Sequence, residues 1–208
     1  MVDHPAKPHG VPRGKPRPDA PTRRAFVAVF PPEEVLARVA DLRSRLEPDL
    51  PALRWVASRN VHFTLRFFGD LLPDAIARAA SVLDAVASRT APFSLTLEGL
   101  GVFPSWKRPR VLWVGASQGG EVLSALAREL ERGFREARLE RADKPFVPHL
   151  TLGRWRDGVV PAPERAEAAV GRVGPVGSFA VDRVVLTESR LGPGGSTYTP
   201  LHAPALCG

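Results

Sequence analysis

The sequence predicts an α+β fold of two pseudo-symmetric lobes, each a small, mainly antiparallel sheet backed by helices, with a central cleft. Three observations lead there. Runs of strand character alternate with runs that keep apolar residues at helical spacing. The pattern His-x-Thr-Leu occurs twice, as His62-Phe63-Thr64-Leu65 and His149-Leu150-Thr151-Leu152. The copies lie 87 positions apart (149 − 62). Each follows a strand and a helix, so each half of the chain supplies one motif strand to a shared cleft.

Residues 1–22 carry prolines at 5, 8, 12, 16, 18 and 21 among scattered basic residues. They have little apolar area to bury and read as a disordered tail, with His4 and His9 incidental. Residues 23–208 read as a single bilobal domain. Arg24–Phe30 predicts a strand. Pro31-Pro32-Glu33-Glu34 opens a helix, with proline at its start and acids in its first turn. Val35, Val39, Leu42 and Leu46 form its apolar stripe, and Pro48 ends it. Trp55-Val56 is a short extended piece. Val61–Phe68 is the first motif strand, closed by Gly69-Asp70. Ile76, Ala80, Leu83 and Ala87 mark a second helix. Phe93–Phe103 reads as a long strand with a bend at Gly99 or Gly101, then a loop, then the strand Arg110–Ala116. Gly119-Gly120 precede the longest helix, carried by Val122, Leu126, Leu130 and Phe134. Pro145–Arg154 contains the second motif strand. Pro161–Val170 makes a short helix, Phe179–Ser189 a strand and Gly192–Gly195 a turn. Tyr198–Leu201 returns as an edge strand.

Composition narrows the class. A hydrophobic fraction of 44% and a charged fraction of 25% belong to a soluble globular protein. No run approaches the roughly 18 apolar residues of a membrane span, and the first residues hold no apolar core of a secretory signal. Cys207 is the single cysteine, which leaves no intrachain disulfide and no cysteine zinc site. A reducing cytoplasm fits. The net charge of +7 favours a polyanionic partner such as nucleic acid. The excess of arginine over lysine, with abundant Ala, Pro, Val and Gly, equally carries the imprint of a GC-rich genome.

The doubled motif points to chemistry on a phosphate. On a strand, residues i and i+2 share a face. His62 therefore sits beside Thr64, and His149 beside Thr151, while Phe63, Leu65, Leu150 and Leu152 face the core. Two imidazoles of ordinary pKa can hold opposite protonation states near neutral pH, one as base and one as acid. The two hydroxyls can hold the non-bridging phosphate oxygens. Two histidines without acidic ligands at metal spacing make a poor metal site, so neither metal nor cofactor is expected. Strict alternation puts Arg66 on the His–Thr face, against phosphate or at the solvated rim. It puts Arg154 on the opposite face unless a bulge re-aims it. Phe26, Phe30, Trp55 and Tyr198 are core aromatics or platforms for a base. His202 reads as a surface residue.

Longer landmarks surround the motifs: Arg24-Ala25-Phe26-Val27-Ala28, Trp55, Leu65-Arg66-Phe67-Phe68-Gly69, Gly101-Val102-Phe103-Pro104, Arg110 to Gly115, Pro145 to Arg154, and Tyr198-Thr199-Pro200-Leu201. Together they resemble the 2H phosphoesterases, and within them the LigT-like RNA 2′,3′-cyclic phosphodiesterases, once called 2′–5′ RNA ligases. The likeness runs from about Arg23 to the C-terminus. It implies metal-independent hydrolysis of RNA 2′,3′-cyclic phosphate ends to 2′-phosphate ends; the expected partner is an RNA or oligonucleotide with such an end, and the expected state is a monomer. It implies His62 as acid to the leaving 3′ oxygen, His149 as base on water, and Thr64 and Thr151 as phosphate anchors. It also implies a functional arginine at Arg154, near the nucleoside, which asks for a strand end or bulge there. Alternatives are a 2′–5′ linkage or a small cyclic nucleotide as substrate, reversible 2′–5′ ligation, and a non-catalytic module that binds nucleotides or RNA ends.

Overall fold

The computed structural model describes residues 21–50, 52–156, 162–171, 173–193 and 195–208. The proline-rich tail expected over 1–22 lies, up to residue 20, outside them. The strands are β1 (Arg23–Val29), β2 (Leu53–Trp55), β3 (Phe63–Leu71), β4 (Phe93–Phe103), β5 (Val111–Ala116), β6 (His149–Trp155), β7 (Gly177–Val181), β8 (Val185–Gly192) and β9 (Gly195–His202). The helices are α1 (Glu33–Leu46), α2 (Pro73–Ala87), α3 (Gly120–Glu136) and α4 (Pro163–Val170). The strand order is β7-β4-β5-β6-β3-β1-β8-β9, with β2 on β6, and every pairing is antiparallel.

That path has a waist. β3 and β6 meet through the single registered pair Phe63↔Leu150. On one side lie β3, β1, β8 and β9; on the other lie β6, β5, β4, β7 and β2. Outward from the waist, each motif strand is followed by a strand from earlier in its half of the chain, β1 or β5. This is the two-lobed α+β arrangement that the repeat predicts. The lobes are not sequence halves, however. Phe179–Ser189, expected as one strand, is split: β7 closes the edge beside β4, and β8 crosses to pair with β1. Residues 182–184 make the crossing, and the C-terminus straps it. Leu206 N–H donates to the Asp182 carbonyl at 2.7 Å, and Arg183 bridges Ala205.

Helical faces follow the apolar spacing. α1 buries Val35, Val39, Leu42 and Leu46. α3 buries Leu123, Leu126, Leu130 and Phe134, whereas Val122, expected on that stripe, is 44% exposed. Leu123 adjoins Leu126 and Leu130 at i+3 and i+7, so it takes the place of Val122. At Gly133, α3 packs closely on α2. A Cβ there would stand 2.6 Å from Val82 Cγ1. Buried apolar side chains of both lobes form one contiguous cluster, with Phe63 and Leu150 at the waist inside it.

Candidate active site

The motif histidines are held alike. His62 Nδ1 lies 2.8 Å from the Asn60 carbonyl, and His149 Nδ1 lies 2.8 Å from the Val147 carbonyl, in each case two residues back. A carbonyl only accepts, so both Nδ1 atoms carry hydrogen, and each Nε2 is the titrating atom. Thr64 Oγ1 lies 2.9 Å from His62 Nε2. His62, Thr64, His149 and Thr151 line one cavity of about 320 Å³, near the lower end for small-molecule sites. Burial pushes both imidazoles below their ordinary 6.5, and the backbone hydrogen bonds oppose that shift. Positive charge on His149 pushes His62 further down, and Arg154 does the same to His149.

Both motif strands bulge at the leucine that follows threonine. On β1, Ala28 faces Thr64 but Val27 faces Arg66, so Leu65 is the extra residue. On β5, Trp113 faces Thr151 but Leu112 faces Gly153, so Leu152 is the extra residue. One extra residue inverts the alternation beyond it. The residues that return to the cavity are therefore those five places after each histidine: Phe67 and Arg154, and both line it. The bulge re-aims Arg154 as the resemblance requires. It corrects the placement of Arg66, which leaves the His–Thr face. Arg66 is 9% exposed, its Nε sits 3.3 Å from Glu131 Oε2, and it donates to the Glu140 carbonyl.

The aromatics split by role. Phe26 and Tyr198 line the cavity while packing on His62, with ring centroids 4.8 and 5.3 Å away. Phe30 packs on His62 at 5.4 Å without lining the cavity. Trp55 lies under the Arg43 guanidinium and also does not line it. His202 pairs with Asp84 at 2.7 Å and does not line the cavity. Strand alternation alone missed several wall residues. Phe67 is 45% exposed, with the Arg24 guanidinium 4.8 Å above its ring. Asn60 donates to the Ser196 carbonyl at 2.8 Å and ties the β8–β9 hairpin to the first motif. That hairpin adds Ser189 and Leu191 to the wall. The Arg66-Phe67 pair carried no signal without the bulge. Among the described residues no group of three His, Cys, Asp or Glu is placed to hold a metal, and no helix is long and apolar enough to cross a membrane.

A family model described as the 2′-5′ RNA ligase superfamily matches residues 31–193. The chain belongs to the 2′-5′ RNA ligase superfamily. Within it, the chain is 33% identical to a Methanothermobacter thermautotrophicus protein named RNA 2′,3′-cyclic phosphodiesterase, over 86% of this chain and 96% of that one. It is 34% identical to a protein of the same name from Thermus thermophilus, over 89% and 91%. In three dimensions it is similar to Escherichia coli LigT crystallised with 3′-AMP, with a TM-score of 0.72, 28% identity, and coverage of 89% and 98%. The superfamily's fold thus spans nearly all of the described chain.

Proposed function

We propose that this protein hydrolyses RNA 2′,3′-cyclic phosphate ends to 2′-phosphate ends, with His62 and His149 as the acid–base pair. The observation that carries this reading is the pair of locked imidazoles, each beside its threonine, facing one cavity across the β3–β6 contact. The names of the relatives and the 3′-AMP bound to E. coli LigT support the substrate class.

In the reaction, His149 Nε2 takes a proton from water as its oxygen forms a bond to phosphorus. The bond from phosphorus to O3′ breaks, and His62 Nε2 gives a proton to that oxygen. The hydroxyls of Thr64 and Thr151 hydrogen-bond the non-bridging oxygens, whose charge grows in the transition state. His149 is the more open of the two, which suits the group that meets water, and His62 is packed among Phe26, Phe30 and Tyr198. Arg154 offers a cation beside the phosphate. Phe67 offers a flat, exposed face for the terminal base, with Arg24 against the ring.

The test is incubation of purified protein with an RNA bearing a 2′,3′-cyclic end, in the presence of EDTA. Conversion to a 2′-phosphate is expected. No conversion, or conversion only on adding metal, overturns the reading. His62→Ala and His149→Ala are each expected to lose about 10²–10⁴-fold in kcat, and full activity in either refutes the acid–base assignment.

A further inference from the structure

A second cavity, of about 880 Å³, lies behind the motif strand: Leu65 lines it, whereas Thr64 lines the cleft. Its wall is basic. α3 presents Arg128, Arg132 and Arg135 at i, i+4 and i+7, on one face, and the loop before β6 adds Arg141 and Lys144. Arg132 is paired with Glu129, and Glu131 with Arg66. Among the described residues, Arg128, Arg135, Arg141 and Lys144 are exposed and have no carboxylate within ion-pair distance. Asp143 is the one other acid on the wall.

A neighbouring cavity shares part of this wall. Ser124 and Arg128 line both, and the lining of this adjoining cavity, of about 590 Å³, includes Pro148, the residue before His149. The basic wall of the groove thus follows α3 and the 141–144 loop; in the adjoining cavity Arg128 shares the lining with Glu121, next to the residue that precedes the second motif. Arg66 braces the groove, joining β3 to Glu131 on α3 and to the Glu140 carbonyl where the loop begins. We propose that this groove holds the phosphodiester backbone of the RNA strand whose cyclic end occupies the cleft, an inference that rests on the reading of the cleft given above.

The chemistry favours a chain over a compact anion. Arg128 and Arg135 are separated by about 10 Å of helix, too far to close on one phosphate. Dispersed, solvated cations suit a flexible polyanion that releases counterions on binding. Half-buried Phe146 on the wall offers a face for a base.

The experiment compares two substrates: adenosine 2′,3′-cyclic phosphate, which fits within the cleft, and an RNA of about ten residues ending in a cyclic phosphate, long enough to leave it. For the wild type, raising salt from roughly 50 to 200 mM is expected to depress kcat/KM steeply for the RNA and little for the mononucleotide. The triple variant Arg128→Gln/Arg135→Gln/Arg141→Gln is expected to lose about tenfold or more on the RNA, to flatten its log–log salt slope by about 2, and to keep mononucleotide turnover. The Arg→Lys triple variant is expected to retain RNA turnover. Unchanged RNA turnover in the Gln variant overturns the groove, and so does an equal loss on both substrates. If the wild type turns over neither substrate, the reading of the cleft falls. Fluorescence anisotropy of a 3′-hydroxyl RNA of the same length then decides the groove, through weaker binding by the Gln variant or equal binding.

Discussion

Two carbonyl oxygens decide which nitrogen of each motif histidine is left to titrate. Asn60 and Val147 fix the Nδ1 hydrogens, so in the mechanism proposed above the protonation state of Nε2 sets the activity. In the free enzyme burial holds both imidazoles below 6.5. The limb of kcat/KM that falls with rising pH reports the acid, so it is expected to begin below that value. A bound phosphate anion favours imidazolium, so the corresponding limb of kcat is expected at higher pH. Rate profiles from pH 5 to 9 check this, and a kcat/KM still rising at pH 8 contradicts it. Stability has the opposite sense. With folded pKa values lowered, the contribution of these groups is present above 6.5 and is lost as pH falls through the folded values. Phe67 supplies a second residue-level prediction. Phe67→Ala is expected to raise KM for nucleotide substrates about 5- to 150-fold, the equivalent of 1–3 kcal/mol of stacking. kcat should change little, and Phe67→Trp should preserve KM. A fall in kcat at constant KM contradicts the stacking role. The histidines and threonines were legible because their spacing needs only two residues of regular strand. Arg66 and Phe67 were not, because one extra residue at Leu65 exchanges their faces and no side chain nearby announces it.

At the level of elements, the two bulges are the device that completes the cleft. Each follows a motif directly, and each turns the fifth residue after the histidine inward, giving an aromatic from one lobe and a cation from the other. Helices were legible from proline starts and apolar spacing, as the face of α1 shows. The split of β7 from β8 was hidden because Phe179, Val181, Val184 and Leu186 are all apolar. Only the pair Asp182-Arg183 interrupts them, and a polar pair does not say which lobe each half joins. Gly133 shows how one element depends on another. In isolation a glycine within a helix costs about 1 kcal/mol relative to alanine, so Gly133→Ala should stabilise α3. Packed against α2, the new Cβ meets stiff Val82 at 2.6 Å. Gly133→Ala is therefore expected to destabilise by about 1–3 kcal/mol, and Val82→Ala in the same chain should recover part of that loss. Denaturant midpoints of the two single variants and the double variant test the coupling. Strictly additive effects exclude it.

At the scale of the molecule, the lobes touch by one registered pair of the sheet yet share a continuous core. The second fact governs stability if it outweighs the first. β1 gains its outer neighbour only when β8 returns from the far lobe, and the C-terminal strap pins the crossing. Neither lobe therefore closes its sheet without chain that has first passed through the other. The tryptophans allow a direct test. Trp55, Trp106, Trp113 and Trp155 lie on β2, between β4 and β5, on β5 and on β6, all in one lobe. Leu186, fully buried on β8, lies in the other. Leu186→Ala should destabilise by about 2–5 kcal/mol through lost burial and a residual cavity. At roughly 2–4 °C per kcal/mol for a chain of this size, the midpoint should fall by about 4–20 °C. Because unfolding is cooperative across the shared core, tryptophan fluorescence in the unmutated lobe should move by the same amount as far-ultraviolet circular dichroism of the whole chain. A fluorescence midpoint that stays in place while the dichroism transition splits would make the lobes independent units. The cleft between them would then be a hinge rather than a rigid seat for the two histidines.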